Sequence, residues 1–291
     1  MKIAYIGSPS PLSYIPLHRL LAAGRSVVAI VVAGQRKPAA HNPKFPVLVE
    51  HSTSIASLAL QYRIALIELT RDWSDAAEQL VRIAPDVILV SCIGRKLPKD
   101  IVSIPRYGCF NLHPSLLPRF RGPAPVFWQF RAGVESFGIT VHCVSEEFDT
   151  GDIVAQSRVT MPDGVNGREA DGLFAEAGSQ LIEATLRSIE CGSLRRCAQS
   201  PSDATYQGLP VPDDYAVSTR WSARRMYNFI CATRLPGIVF PCKVGGRIYR
   251  LTAAKSYRDS DVVRIAVEGR RVISINCSRG VVEAIYAAGT N

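Results

Sequence analysis

One stretch of the chain gathers side chains able to do acyl chemistry. It reads Gly108-Cys109-Phe110-Asn111-Leu112-His113-Pro114-Ser115-Leu116-Leu117-Pro118 and continues Arg119-Phe120-Arg121-Gly122-Pro123-Ala124-Pro125. If Phe110 and Leu112 face a core from a strand, Asn111 and His113 share the opposite face. Thirty-eight residues after Asn111 comes Phe148-Asp149-Thr150-Gly151-Asp152. A carboxylate beside an imidazole raises its basicity and sets its tautomer. An Asn amide beside both can donate to a developing oxyanion. Asn111, His113 and Asp149 together suit transfer of an acyl group with no covalent enzyme intermediate. Ser115 has no G-x-S-x-G elbow around it, so no activated serine is expected. Each piece alone has an ordinary explanation, since a His at a strand end is commonly a structural hydrogen-bonder and D-T-G-D commonly a tight turn.

These residues need a scaffold, and the first half of the chain supplies its pattern. Positions 3–6, 27–32, 65–69 and 86–90 read as strands, and 15–23, 54–62 and 74–83 as helices. A short strand is expected over 108–111, further strands over 138–144 and 153–159, and a long amphipathic helix over 168–190. The alternation predicts an α/β fold with a doubly wound, mostly parallel sheet. Asn111 and His113 would emerge at a strand's carboxyl end, where such sheets bind ligands. No G-x-G-x-x-G follows the first strand and no P-loop occurs, which removes the commonest nucleotide functions of these sheets. Residues 1–190 are expected to form the catalytic domain, 191–214 a Pro- and Gly-bearing linker, and 215–291 a second domain. That domain carries a helical pattern over 222–232 and short strands over 243–253, 262–267, 272–275 and 281–286, which predicts a small OB-like β-barrel.

Composition bounds the function class. At 291 residues, 47% hydrophobic and 20% charged, the chain can bury a sizeable core. No apolar run is long enough to span a bilayer, and Met1 to Gly7 lead directly into a strand-like segment. A soluble, cytoplasmic protein without a membrane partner is the expectation. The eight cysteines show no C-x-x-C or Cys/His cluster, so reduced thiols and no metal are expected. Residues 201–291 hold 13 Lys/Arg against 7 Asp/Glu, which is +6 of the total +9. A basic segment of this kind fits an anionic partner or an ordinary solvated surface.

The run N-L-H-P-S-L-L-P-R-F-R-G-P-A-P followed by F-D-T-G-D resembles the N10-formyltetrahydrofolate-dependent formyltransferase family. That family includes glycinamide ribonucleotide, methionyl-tRNA and nucleotide-sugar formyltransferases. The resemblance covers almost the whole chain and is closest to methionyl-tRNA formyltransferase, through positions 3–9, 94–98, Trp221-Ser222-Ala223-Arg224-Arg225-Met226-Tyr227-Asn228 and Leu235-Pro236-Gly237. It implies the formyltransferase fold, N10-formyltetrahydrofolate as donor co-substrate, and Asn111, His113 and Asp149 as the catalytic trio. It further implies that backbone groups of two loops hold the pterin of the reduced folate. One loop is Cys92, Ile93, Gly94, Arg95, Lys96, Leu97 and Pro98, and the other is Cys143, Val144, Ser145, Glu146, Glu147 and Phe148. Ser115, Leu116, Leu117, Pro118, Arg121 and Gly122 form the expected acceptor loop. The acceptor stays open between initiator methionyl-tRNA and a small amine, such as a hydroxylated amino acid or a nucleotide-linked amino sugar. Positions 34–46 are basic but shorter than the tRNA-entering loop of the methionyl-tRNA enzymes, and the C-terminal barrel is abbreviated. A formylfolate hydrolase, which would carry a further N-terminal domain, and a non-catalytic folate- or RNA-binding relative rank behind both.

Overall fold

Short runs rich in Val, Ile and Ala become the strands of the first sheet. They are β1 (Ile3–Gly7), β2 (Val27–Ala33), β3 (Ala65–Leu69), β4 (Val87–Ser91), β5 (Cys109–His113), β6 (Phe137–Cys143) and β7 (Ile153–Val159). The computed structural model describes residues 1–33, 54–69, 72–259 and 271–288. The strands pair in the order β3-β2-β1-β4-β5-β6-β7. The first five run parallel, and β6 and β7 turn back antiparallel. Central β1 and β4 are buried at every residue, as apolar strands covered on both faces must be. The doubly wound, mostly parallel sheet is as expected from the alternation of patterns.

The helices follow local signals. In α1 (Pro11–Ala22) the Ser10 hydroxyl accepts from the Ser13 N–H and Pro11 takes a first-turn position, so the helix starts four residues before its apolar pattern does. Ser54 caps α2 (Ile55–Tyr62) in the same way. In α3 (Ser74–Ile83) Ala76 and Leu80 face the core on one stripe. The sequence reading has no counterpart for α4 (Lys99–Val102) or α5 (Pro125–Ala132), which are a single turn and two turns long. The long α6 (Gly167–Glu190) follows β7. None of the described helices is long and apolar enough to cross a membrane.

Two compact units emerge, and their division differs from the expected one. The first comprises Met1–Pro125, Ser136–Val159 and Asp171–Gln207, and the second Val126–Glu135, Thr160–Ala170 and Gly208–Asn291. The segment 191–207, expected as linker, is bonded into the first unit. Cys197 and Ile153 exchange two backbone hydrogen bonds of 2.8 Å, and Thr205 bonds both Pro118 (3.2 Å) and Arg121 (2.9 Å). Main-chain bonds of this kind need no side-chain periodicity, so the segment's polar, Pro-bearing composition concealed them.

The second unit holds an antiparallel sheet in the order β10-β11-β9-β8, the sheet of a small barrel-like domain. Its strands are β8 (Phe240–Val244), β9 (Arg247–Arg258), β10 (Val272–Asn276) and β11 (Val281–Tyr286), with α7 (Ala223–Thr233) before them. The single strand expected over 243–253 is divided by Gly245 and Gly246. Both have positive φ (56° and 85°), which makes a two-residue hairpin. The strand expected over 262–267 lies outside the described residues, as does the basic stretch 34–46. Edge-to-face contacts join Phe127, Tyr215, Phe229 and Phe240 into this unit's aromatic core.

What positions β5 is the close approach of α6. A Cβ on Gly178 would stand 2.7 Å from Leu112 Cδ2 and 2.9 Å from Ile139 Cδ1. A glycine at that turn lets the helix lie directly against β5 and β6. Leu112 is pinned there, and it sits between Asn111 and His113.

Candidate active site

Asn111 and His113 emerge on one face of β5, and β6 places His142 opposite Asn111 in register. Asp149 lies in the loop after β6 in the left-handed region (φ 57°), uncommon for a residue with a side chain. Its Oδ1 stands 3.5 Å from Asn111 Nδ2, 3.5 Å from His113 Nδ1 and 3.5 Å from His142 Nε2. Its Oδ2 accepts the Gly122 N–H at 2.9 Å. His113, His142 and Asp149 are buried, at 4%, 2% and 9% exposure, so water does little to screen their interaction.

Hydrogen-bond partners assign the tautomers. His113 Nε2 lies 2.9 Å from the Phe120 carbonyl, which can only accept, so Nε2 carries a proton and Nδ1 turns toward Asp149. The main chain, rather than the carboxylate, therefore fixes the His113 tautomer. His142 Nδ1 likewise donates to the Cys143 carbonyl at 2.8 Å, leaving Nε2 to accept the Asn111 amide at 3.0 Å. Burial lowers the His113 pKa below its ordinary value, Asp149 partly opposing it and His142 adding to it. At Asp149 burial works against the charge, yet the His142 and His113 rings, as cations, and the Gly122 N–H outweigh it and bring the pKa down to about 2. The site holds a neutral imidazole beside a fixed carboxylate, with an amide donor across from them. That set can take a proton from an attacking amine and receive an oxyanion, the two needs of non-covalent acyl transfer.

The sequence profile of the formyl transferase family matches residues 1–182. The chain belongs to the formyl transferase family. A methionyl-tRNA formyltransferase of Carboxydothermus hydrogenoformans is 32% identical over 238 residues, 81% of this chain and 75% of that protein. One from Syntrophomonas wolfei is 28% identical over 98% of this chain and 90% of its own. The crystal structure of an N-formyltransferase from Helicobacter canadensis, with folinic acid and dTDP-3-aminofucose, superposes with a TM-score of 0.71 at 15% identity. It covers 99% of this chain and 100% of that one, and the likeness speaks for the fold. Formyl transfer is thus the reaction class of this chain, as its motifs implied.

The remaining expected site residues of this formyl transferase fall into two groups. Loops 92–98 and 143–148 lie at the open end of β4 and after β6, and Lys96 Nζ bridges them to Glu147 Oε1 at 3.1 Å. Within them Leu97 is buried, Ile93 and Val144 pack partly on the core, and Phe148 stays 42% exposed beside Asp149. The expected acceptor loop is held by its own hydrogen bonds and by β6. The Ser115 hydroxyl donates to the Arg119 carbonyl (2.7 Å), Leu117 is buried, and Leu116 lies against Gly138. Thr140 ties the loop down, donating to the Ser115 carbonyl (2.6 Å) and accepting from Leu117 N (3.2 Å) and Gln156 Nε2 (2.9 Å). The Gly122 N–H reaches the Asp149 carboxylate, and Arg121 pairs with Gln199. A Cβ on Gly122 would strike the Gln207 carbonyl at 2.1 Å, and its φ of 114° suits glycine alone.

Sequence reasoning missed His142, Thr140, Gln156 and Gln199. His142 reaches the site only through the antiparallel register of β6 on β5. Gln199 sits in the segment that composition marked as linker.

Proposed function

We propose that this protein moves a formyl group from N10-formyltetrahydrofolate to the amine of methionyl-tRNA. The convergence of Asn111, His113 and Asp149 on one point at the end of β5 carries the reading. The acceptor amine attacks the formyl carbon, a C–N bond forms, and the carbonyl electrons move to oxygen. Asn111 Nδ2 donates to that oxyanion. His113 Nδ1 takes the proton the amine sheds, and the imidazolium so formed stands beside ionised Asp149. Collapse breaks the bond to folate N10, which recovers the proton and leaves as tetrahydrofolate.

Backbone groups of 92–98 and 143–148 would hold the pterin. The apolar surface of Ile93, Val144 and exposed Phe148 suits an aromatic ring there. The methionyl-tRNA acceptor draws support from the relatives that carry that activity in their names and from the basic C-terminal region. A small amine is the second reading, favoured by the short basic stretch at 34–46.

Tetrahydrofolate release, measured with initiator methionyl-tRNA and with an amino sugar nucleotide, tests both. We expect turnover with the tRNA, and tRNA binding that weakens steeply between about 50 and 200 mM salt. Turnover only with the small amine, and no tRNA binding at low salt, would transfer the assignment to the second reading. No release with any acceptor would sink formyl transfer itself.

A further inference from the structure

Asp149 carries the site's charge, yet its place depends on main chain that should not hold itself. A left-handed φ on a non-glycine residue persists only where the surroundings over-determine it. Two residues on, Gly151 passes so close to Cys143 that a Cβ would lie 1.9 Å from that residue's carbonyl oxygen. Ser145 and Thr150 bond within the loop, through Ser145 Oγ to Thr150 Oγ1 (2.9 Å) and Thr150 Oγ1 to the Glu147 carbonyl (3.1 Å), and Gln199 ties it from outside. Gln199 Nε2 donates to the carbonyls of Asp149 (2.8 Å) and Gly151 (2.7 Å), and Gln199 Oε1 accepts from Arg121 Nε (3.1 Å) and Nη2 (2.7 Å). Both amide hydrogens and both oxygen lone pairs are thereby used. Flipping the amide would set oxygen against two carbonyls and NH2 against a guanidinium, so its orientation is fixed. The Arg121 charge also strengthens the two donated bonds by polarising the amide.

We propose that Gln199 is a positioning residue for formyl transfer, holding the Asp149 loop so that its carboxylate faces His113. The assignment rests on the reaction proposed above. Arg121 anchors Gln199, Gln199 gathers the two carbonyls, and the carboxylate then meets His113 Nδ1 and the Gly122 N–H. A glutamate, equal in size, would keep the Arg121 pairing and lose both donors, so shape alone does not meet the requirement.

Three groups face the His113 ring: Asp149 from its loop, His142 from β6 and the Phe120 carbonyl. Of these, Asp149 favours the charged ring most strongly. The test is an NMR titration of the His113 ring, needing neither donor nor acceptor, in wild type, Gln199→Ala and Gln199→Glu, with thermal melts alongside. We expect the His113 midpoint to move to lower pH in both variants as the carboxylate drifts away. In turnover, kcat should fall about 10²-fold, the scale of a misplaced catalytic group. The donor KM should hold, and the acid limb of the pH profile should move down with the midpoint. Arg121→Met removes the anchor and should shift His113 the same way, which keeps the test open if the Gln199 variants do not fold. An unmoved His113 midpoint in folded variants would overturn the proposal. So would an activity loss that is equal at every pH and follows the melting temperature. A wild type that releases no tetrahydrofolate, with the His113 shift still present, would remove the reaction and leave the positioning role standing.

Discussion

At the scale of single residues, hydrogen bonding decides which atoms are free to act. Asn111 gives one amide hydrogen to His142 Nε2 at 3.0 Å, while its approach to Asp149 is a long 3.5 Å. The second hydrogen is thus weakly held and available to an oxyanion. Replacing Asn111 with Ala should lower kcat by about 10²- to 10³-fold, the usual loss of one oxyanion donor. Folate affinity, read by fluorescence titration, should stay unchanged. His142→Leu should cost less, since it frees the amide to rotate without removing it. A kcat for Asn111→Ala within a few-fold of wild type would show that the oxyanion lies elsewhere. Asn111, His113 and Asp149 were legible because their types and the N-x-H spacing already specify a chemistry. His142 was not, because only strand pairing brings it opposite Asn111.

Elements set the depth at which those residues stand. The long α6 could be read from its amphipathic pattern, but not the reason for a glycine at position 178. Its missing Cβ lets the helix close on Leu112 and Ile139. Gly178→Val should cost about 1–3 kcal/mol through overpacking, seen as a lower melting temperature. It should also reduce turnover, because Leu112 cannot retreat without moving its neighbours on β5. Gly178→Ala should cost less, since better helix propensity returns roughly 1 kcal/mol. An unchanged melting temperature for Gly178→Val would mean that α6 does not press on β5. The strap 196–207 is the other such case, joined to Ile153, Pro118 and Arg121 through main-chain bonds that no side-chain pattern announces.

Over the whole molecule, buried titrating groups give stability an uneven dependence on pH. Burial pushes the Asp171 carboxyl up from 3.8 to about 7. Its folded-state pKa exceeds the unfolded one, so its contribution is fullest below about pH 3.8 and is lost as pH rises through 7. Asp171→Asn should therefore leave stability near pH 4 unchanged and raise it at pH 8 by on the order of 1–4 kcal/mol, seen as a higher melting temperature. Equal melting temperatures at pH 8 would show that the carboxyl is solvated. Asp149 acts in the opposite sense. Its pKa falls from 3.8 to about 2, so its contribution is present above 3.8 and is lost as pH drops toward 2. His113, held below its usual 6.5, likewise withdraws stability as the solution turns acid.

The amino-acid sequence by itself determined the class of sheet, the strand that bears Asn111 and His113, and the family to which the chain belongs. Those follow from periodicity, which burial imposes locally, and from residue types that chemistry restricts. Tertiary structure alone decided the His113 tautomer, the arrival of His142, the role of Gln199 and the main-chain bonding of residues 197–207 to Ile153, Pro118 and Arg121. Each depends on a carbonyl, a strand register or a close backbone approach contributed by residues far away in the chain. Asn111, His113 and Asp149 could be found from their identities, but what holds them in place could not.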